Sequence, residues 1–241
     1  MINILLPSMG GSLFFKESYF PKPLIEIEGR TILEIVMNNF KSISGGQMIY
    51  VFSQKDCNEF HLDSSVRILD QKSKVLSLKN QTAGALCTAM ITIEYIDNEA
   101  PLIIANSDQV IDVDYNKVID YFKSEQADAG VITFSNIHPR WSYVRLEGNC
   151  VIEVAEKRPL SNRAIAGFYY YRHGKEFIEA AKKVILKQNC IDGKYYISSS
   201  LNEMVLMGKK VMQYEIGQQQ YHSFYSPEKI REYEKGGKNE N

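Results

Sequence analysis

The sequence predicts an α/β protein with a mostly parallel central sheet that helices flank on both faces. Short apolar runs typical of buried strands alternate with segments whose apolar residues recur at helical spacing. This alternation is typical of parallel strands that helices connect. At 241 residues, 44% of them hydrophobic, the chain is long enough to bury a full core.

The first half carries the clearest strand and helix signals. Residues 2–6 form an apolar run that ends at Pro7 and predicts the first buried strand. Thr31 followed by Glu34 is a capping box, which predicts a helix that begins there. Further strands are predicted at 48–52, 66–69, 102–105 and 129–134, and further helices at 83–96 and 115–122.

The second half predicts a mixed arrangement of strands. Gly148-Asn149 is a hairpin signal between two apolar runs, 142–146 and 151–155. Strands at 164–171 and 211–216 and helices at 176–185 and 199–207 follow. The chain shows no internal repeat and no linker, which favours one domain over 1–233. Residues 234–241 are rich in Gly, Lys and Asn, which predicts a disordered tail.

Charge and cysteine content give no support to several classes of protein. The 28 basic and 29 acidic residues give a net charge of −1, whereas nucleic-acid binders show a basic surplus. The four cysteines form no CxxC pair and have no histidine at a zinc-ligand spacing, so we expect reduced thiols and a cytoplasmic protein. No apolar stretch approaches the length of a membrane span, so we expect no membrane insertion.

Four short segments are candidates for chemistry, and each also fits an ordinary structural role. The loop 8–12 contains Gly10 and Gly11, whose backbone N–H groups could face phosphates, although an ordinary turn is the favoured explanation when the loop is taken alone. Lys22 stands between two prolines that favour an extended, stiff segment, although it could be a surface lysine. Asp108 follows an apolar strand, where open α/β sheets bind their ligands, but it could also be a solvated turn residue. The pair Glu156-Lys157 closes a predicted strand and could be an exposed ion pair.

The order of these segments is more informative than any one of them. A glycine loop precedes Phe20-Pro21-Lys22-Pro23-Leu24, then Asn106-Ser107-Asp108-Gln109, then Glu156-Lys157 and the Gly167 strand. In this order the chain resembles the sugar nucleotidyltransferases, and most of all the short cytidylyltransferase-like members of bacterial capsule and surface-polysaccharide clusters. The resemblance extends from about Ile2 to about Tyr233.

The resemblance implies a Rossmann-like nucleotidyltransferase fold, with a nucleotide-binding half at about 1–135 and an acceptor-binding half at about 136–233. It implies a Mg²⁺-dependent reaction of an NTP with a sugar phosphate or another small phosphate, and a homo-oligomer is compatible with it. Lys22 would contact the reacting phosphates and Asp108 would hold Mg²⁺. The other implied binding residues are Gly10, Gly11, Ser12, Gln81 and Gly84 for the nucleotide and Glu156, Lys157 and Gly167 for the acceptor.

Two positions depart from the family pattern. Leu13 stands where the family has an arginine that clamps pyrophosphate, and the segment around His222 lacks a second metal-binding aspartate. His222 could contribute to metal binding, but imidazole is a poor Mg²⁺ ligand. Two alternatives therefore stay open. One is a catalytically impaired nucleotide- or sugar-nucleotide-binding protein, and the other is a glycosyltransferase, although Asp108 lacks the second acid of an Asp-x-Asp motif.

Overall fold

The structure, a computed structural model, describes residues 1–10, 13–15 and 17–237. Thirteen strands occur within these residues: β1 (Ile2–Ser8), β2 (Glu26–Ile27), β3 (Arg30–Thr31), β4 (Gly46–Ser53), β5 (Lys74–Leu78), β6 (Leu102–Ala105), β7 (Gln109–Ile111), β8 (Ala129–Ser135), β9 (Ser142–Glu147), β10 (Cys150–Glu156), β11 (Arg163–Tyr171), β12 (Val211–Ile216) and β13 (Tyr221–Ser223).

Nine α-helices occur in the same part of the chain: α1 (Ile32–Lys41), α2 (Gln54–Phe60), α3 (Leu62–Leu69), α4 (Ala85–Ile91), α5 (Ile93–Ile96), α6 (Tyr115–Ser124), α7 (Gly174–Leu186), α8 (Ser198–Leu206) and α9 (Pro227–Gly237). The predicted capping box is present at the start of α1, where the Thr31 side chain accepts a hydrogen bond from the Glu34 N–H.

Nine of these strands form one mixed sheet in the order β5-β4-β1-β6-β11-β8-β12-β10-β9. Neighbours are parallel from β5 to β6 and again between β8 and β12. The strands β10 and β11 run antiparallel to their neighbours. The α/β class is confirmed, and the two reversed strands make the sheet mixed.

Two buried apolar clusters lie on opposite faces of the sheet. Alternate residues of a strand contribute to different clusters, as Ile4 and Leu5 of β1 do. One cluster includes the buried residues of α1 and α6, and the other includes those of α4, α7 and α8. Helices therefore cover both faces, which leaves the sheet edge at the carboxyl ends of β1 and β6 for a binding site.

Three local predictions are wrong. Residues 66–69 belong to the helix α3 and not to a strand. The segment Lys22-Pro23-Leu24 is a 3₁₀ turn and not extended, although Pro21 before it is extended. Residues 234–237, predicted to belong to a disordered tail, form the last turn of α9. Gly11, Ser12 and residues 238–241 lie outside the described residues.

Candidate active site

An ion pair between Lys22 and Asp108 marks the centre of the site. The two residues lie 86 positions apart, and Lys22 Nζ donates to Asp108 Oδ2. Lys22 begins the 3₁₀ turn after Pro21, and Asp108 lies in the short loop between β6 and β7. The side chains are 16% and 31% exposed, so the pair is shielded but reachable by a ligand.

The main chain of Asp108 is held in place from the C-terminal part of the chain. The Phe224 N–H donates to the Asp108 carbonyl at 2.8 Å. This contact extends the two-stranded ladder of β7 and β13, in which Ser223 faces Gln109. The loop that carries the carboxylate is therefore fixed at both its backbone and its side chain.

Gln109 lies at the centre of a buried hydrogen-bond network beside this loop. Its Nε2 donates to the carbonyls of Ala166 at 2.6 Å and Gly167 at 3.1 Å. Its Oε1 accepts from Asn106 Nδ2 at 3.0 Å and from the Tyr221 hydroxyl at 3.1 Å. All four hydrogen bonds that a side-chain amide can make are present, which fixes the position of this loop relative to β11.

Tyr221 completes the network as a hydrogen-bond donor. Burial raises the pKa of its hydroxyl well above the usual value, the nearby charge of Asp108 adds to the increase, and Arg140 opposes it. The hydroxyl therefore stays protonated and keeps donating to Gln109.

A first cleft of about 590 Å³ opens on the Lys22 side of the ion pair. Its walls include Gly10 and Gln81, two of the residues that the resemblance assigned to the nucleotide, together with Lys22 and Asp108. Lys55 and Lys79 are further cations in the wall that sequence reasoning missed. Asp56 also lines it, and burial raises the pKa of its carboxyl.

A second cleft of about 520 Å³ opens on the other side of Asp108. It shares Asn106 and Asp108 with the first cleft. Its remaining lining residues are Phe14, His138, Arg140, Trp141, Tyr221, Ser223 and Tyr225. Two clefts that meet at one carboxylate provide room for two ligands whose reacting groups face each other.

The predicted acceptor residues lie near the second cleft but do not line it. Glu156 Oε2 accepts from the hydroxyls of Ser142 and Ser198. The Lys157 N–H donates to the Trp141 carbonyl at 3.0 Å, and its Nζ donates to the Tyr196 hydroxyl at 2.7 Å. The hydrogen bond to Tyr196 raises the pKa of Lys157, so this side chain stays charged.

The two remaining predicted glycines have clear packing roles. Gly84 precedes α4, and a Cβ there would lie 2.4 Å from the Tyr195 carbonyl oxygen. A Cβ on Gly167 would lie 2.2 Å from Asn106 Nδ2. The close packing explains both glycines without a ligand, and their contacts with substrates stay predictions.

His222 has a partner other than Asp108. Its Nε2 lies 2.7 Å from Asp112 Oδ2, and its ring packs against Tyr233. Among the described residues, no hydrogen bond or ion pair joins His222 to Asp108. Within residues 1–10, 13–15 and 17–237, no three His, Cys, Asp or Glu side chains form a group that could hold a metal. The structure therefore gives His222 no position beside the carboxylate, and its metal role stays a prediction.

Comparison with known proteins identifies the family. The model of the family described as Nucleotidyl transferase matches residues 18–216, and the chain therefore belongs to this family. A search of curated proteins finds no significant match. No helix in the described part of the chain has the length and apolar character needed to cross a membrane.

Solved structures share the fold at low sequence identity. A nucleoside-diphosphate-sugar pyrophosphorylase from Vibrio cholerae RC9 is 20% identical with a TM-score of 0.81, over 98% of this chain and 100% of that chain. A UDP-glucose pyrophosphorylase complexed with UDP-glucose is 17% identical with a TM-score of 0.75, over all of both chains. A UDP-glucose pyrophosphorylase from Acinetobacter baumanii is 17% identical with a TM-score of 0.69, over 97% of this chain and 92% of that chain.

Proposed function

We propose that this nucleotidyltransferase joins an NTP to a small phosphorylated acceptor, with release of pyrophosphate. The observation that carries the proposal is the position of Asp108 and its partner Lys22 where two clefts meet. Transfer of a nucleotidyl group needs a donor and an acceptor on opposite sides of the reacting phosphorus. The first cleft would take the NTP and the second the acceptor.

The chemistry needs positioning and charge neutralisation more than a protein nucleophile. An oxygen of the acceptor phosphate attacks the α-phosphorus, and the bond to the β-phosphate breaks as pyrophosphate leaves. The acceptor phosphate is already ionised, so no general base is required. Lys22 offers a positive charge to the phosphates as negative charge moves to the leaving group.

The residues present fit Mg²⁺. Mg²⁺ usually binds one or two carboxylates together with substrate phosphates, and Asp108 supplies one carboxylate. Only Oδ2 of this carboxylate has a side-chain partner among the described residues. When bound, Mg²⁺ would neutralise phosphate charge during transfer.

The proposed donor is CTP, ahead of UTP and dTTP, and the proposed acceptor is a sugar phosphate ahead of other small phosphates. The resemblance to cytidylyltransferase-like members supports both choices, together with a role in surface polysaccharide biosynthesis. The pyrophosphorylases of similar fold support a sugar phosphate as acceptor, since their names include nucleoside-diphosphate sugars and UDP-glucose.

The first test measures the melting temperature with CTP, UTP, dTTP, ATP and GTP, each with and without Mg²⁺. A ligand at a hundred times its dissociation constant adds about 2.7 kcal/mol of stability, which shifts the melting temperature measurably. We expect one pyrimidine triphosphate to give a shift that grows with Mg²⁺. No shift with any triphosphate would favour the glycosyltransferase alternative, which NDP-sugars then test.

The second test uses the variant Asp108→Asn and pyrophosphate release with phosphorylated acceptors. We expect turnover to fall by about a hundredfold or more, because the amide keeps the shape of the side chain but loses its charge. The Mg²⁺-dependent part of the melting shift should disappear as well. Asp120→Asn, at an exposed aspartate of α6, is the matched control and should keep full activity. Full activity of Asp108→Asn would contradict the proposal. If the unaltered protein bound a nucleotide and showed no turnover, the alternative of a nucleotide-binding protein would be favoured.

A further inference from the structure

Arg140 lies between two aromatic rings in the wall of the second cleft. Its guanidinium carbon is 4.2 Å from the centroid of the Trp141 ring and 3.5 Å from that of the Tyr225 ring. Such stacking holds a planar guanidinium in one orientation and covers its faces. The N–H groups at its edges stay available for hydrogen bonds.

The charge of Arg140 is not neutralised by any described side chain. Within residues 1–10, 13–15 and 17–237, no carboxylate lies within 4 Å of its guanidinium, and the guanidinium donates no hydrogen bond. Three other arginines of the second half are in ion pairs: Arg145 and Arg158 with Glu153, and Arg163 with Glu215. A preoriented and unpaired guanidinium in a cleft is well suited to a planar, bidentate contact with a phosphate.

We propose that Arg140 binds the phosphate group of the acceptor in the second cleft and so makes the enzyme require a phosphorylated acceptor. This inference rests on the proposed nucleotidyl transfer. Arg140 and Asp108 line the same cleft, so a phosphate held by Arg140 lies on the acceptor side of the carboxylate. The contact holds the attacking oxygen until its bond to the α-phosphorus forms and the bond to pyrophosphate breaks.

The chain contains a single tryptophan, Trp141, and this residue stacks on Arg140. Its fluorescence therefore reports on the second cleft in the unmodified protein. The experiment titrates the protein with sodium phosphate at constant ionic strength, with sodium chloride as the reference salt. We expect a saturable change of emission that phosphate causes and chloride does not.

Three variants test whether Arg140 is responsible. Arg140→Met should lose the saturable change, and Arg140→Lys should keep a weaker one, because an ammonium group cannot make the bidentate contact. Arg67→Met removes an exposed arginine of α3 and is the matched control. We expect it to show the same change of emission as the unaltered protein. Far-UV circular dichroism confirms that each variant is folded. An unchanged response in Arg140→Met, or no saturable response in the unaltered protein, overturns the inference.

Steady-state kinetics separate this inference from the proposed function. With α-D-glucose 1-phosphate as the first acceptor probe, Arg140→Met should raise the KM for the acceptor about tenfold or more and leave the KM for the NTP unchanged. If Arg140→Met and the unaltered protein had equal KM values for the acceptor, the role of Arg140 would be overturned. The proposed nucleotidyl transfer would still stand. A phosphate response that depends on Arg140 in a protein without turnover would refute the proposed function but keep the anion site.

Discussion

Gly167 occupies a left-handed backbone conformation at a bulge in β11, with φ of +59°. A Cβ at this position would overlap the side-chain amides of Asn106 and Gln109. Its own carbonyl accepts hydrogen bonds from the Asn106 N–H at 3.0 Å and from Gln109 Nε2. One small residue therefore allows β11 to approach the loop that carries Asp108.

The substitution Gly167→Ala should destabilise the protein and reduce its activity. Left-handed backbone alone costs an alanine about 1–2 kcal/mol, and the overlap with Asn106 adds about 1–3 kcal/mol. Gly148→Ala is the matched control, because Gly148 has the same φ of +59° and open space around it. Urea denaturation measures both variants. If Gly167→Ala and Gly148→Ala lost the same free energy of unfolding, the overlap of the new Cβ with Asn106 would be relieved without cost.

At the residue scale, sequence reasoning found the site residues that stand in a local sequence motif. It missed those whose role depends on residues that are distant in the sequence and close in the fold. Lys22 and Asp108 stand in recognisable motifs, and the structure brings them together across 86 residues. Arg140 carries no such motif, because its orientation depends on Tyr225, which lies 85 positions further along the chain and has no fixed spacing from it. The adjacency of Arg140 and Trp141 in the sequence was the one signal that could have indicated this residue.

At the element scale, the helix α1 fixes the strand β7 through one side chain. Asn39 Nδ2 donates to the Ile111 carbonyl at 3.1 Å, and Asn39 Oδ1 accepts from the Ile111 N–H at 3.2 Å. The same Oδ1 accepts from the Tyr115 hydroxyl at 2.9 Å. Because β7 follows Asp108 directly, this contact links a helix of the core to the position of the site.

The substitution Asn39→Ala should cost about 1–3 kcal/mol of unfolding free energy, because the buried Ile111 N–H and Tyr115 hydroxyl lose the oxygen that accepts from them, while the Ile111 carbonyl keeps the Val113 N–H. Asn38→Ala is the matched control. Asn38 is exposed on the same helix, so this change should alter stability by no more than about 0.5 kcal/mol. Thermal and urea unfolding measure both. A loss no larger in Asn39→Ala than in Asn38→Ala would contradict the proposed link.

The incorrect prediction of a strand at 66–69 shows how the apolar pattern of a short segment can indicate the wrong element. The run Val66-Arg67-Ile68-Leu69 is short and mostly apolar, which resembles a strand. In the helix α3 the buried residues are instead Leu62 and Val66, four positions apart, and Ile68 is 84% exposed. The three-residue strands β7 and β13 could not be predicted, because they pair only with each other across about 110 residues.

At the scale of the whole molecule, one sheet joins the two halves of the chain. The strand β6 of the first half pairs with β11 of the second half. The strand β8 in turn pairs with β12 near the end of the chain. The alternation of strands and helices made the class of fold predictable, whereas the position of β11 between β6 and β8 depends on long-range pairing that no local pattern encodes. The shared sheet favours the single domain over 1–233 that the sequence predicts.

A single domain should unfold in one cooperative step, and each half of the chain contains a natural reporter of that step. Cys57 of α2 is a free thiol with 7% exposure, and Trp141 lies beside β9 in the second half. At increasing urea concentrations, pulse alkylation with mass spectrometry follows Cys57 while fluorescence follows Trp141. We expect coincident midpoints, because the sheet cannot lose β6 without exposing β11. The exposed thiol of Cys190 is the internal control and should be labelled at every concentration. Labelling of Cys57 at a clearly lower urea concentration than the change at Trp141 would show two units that unfold separately.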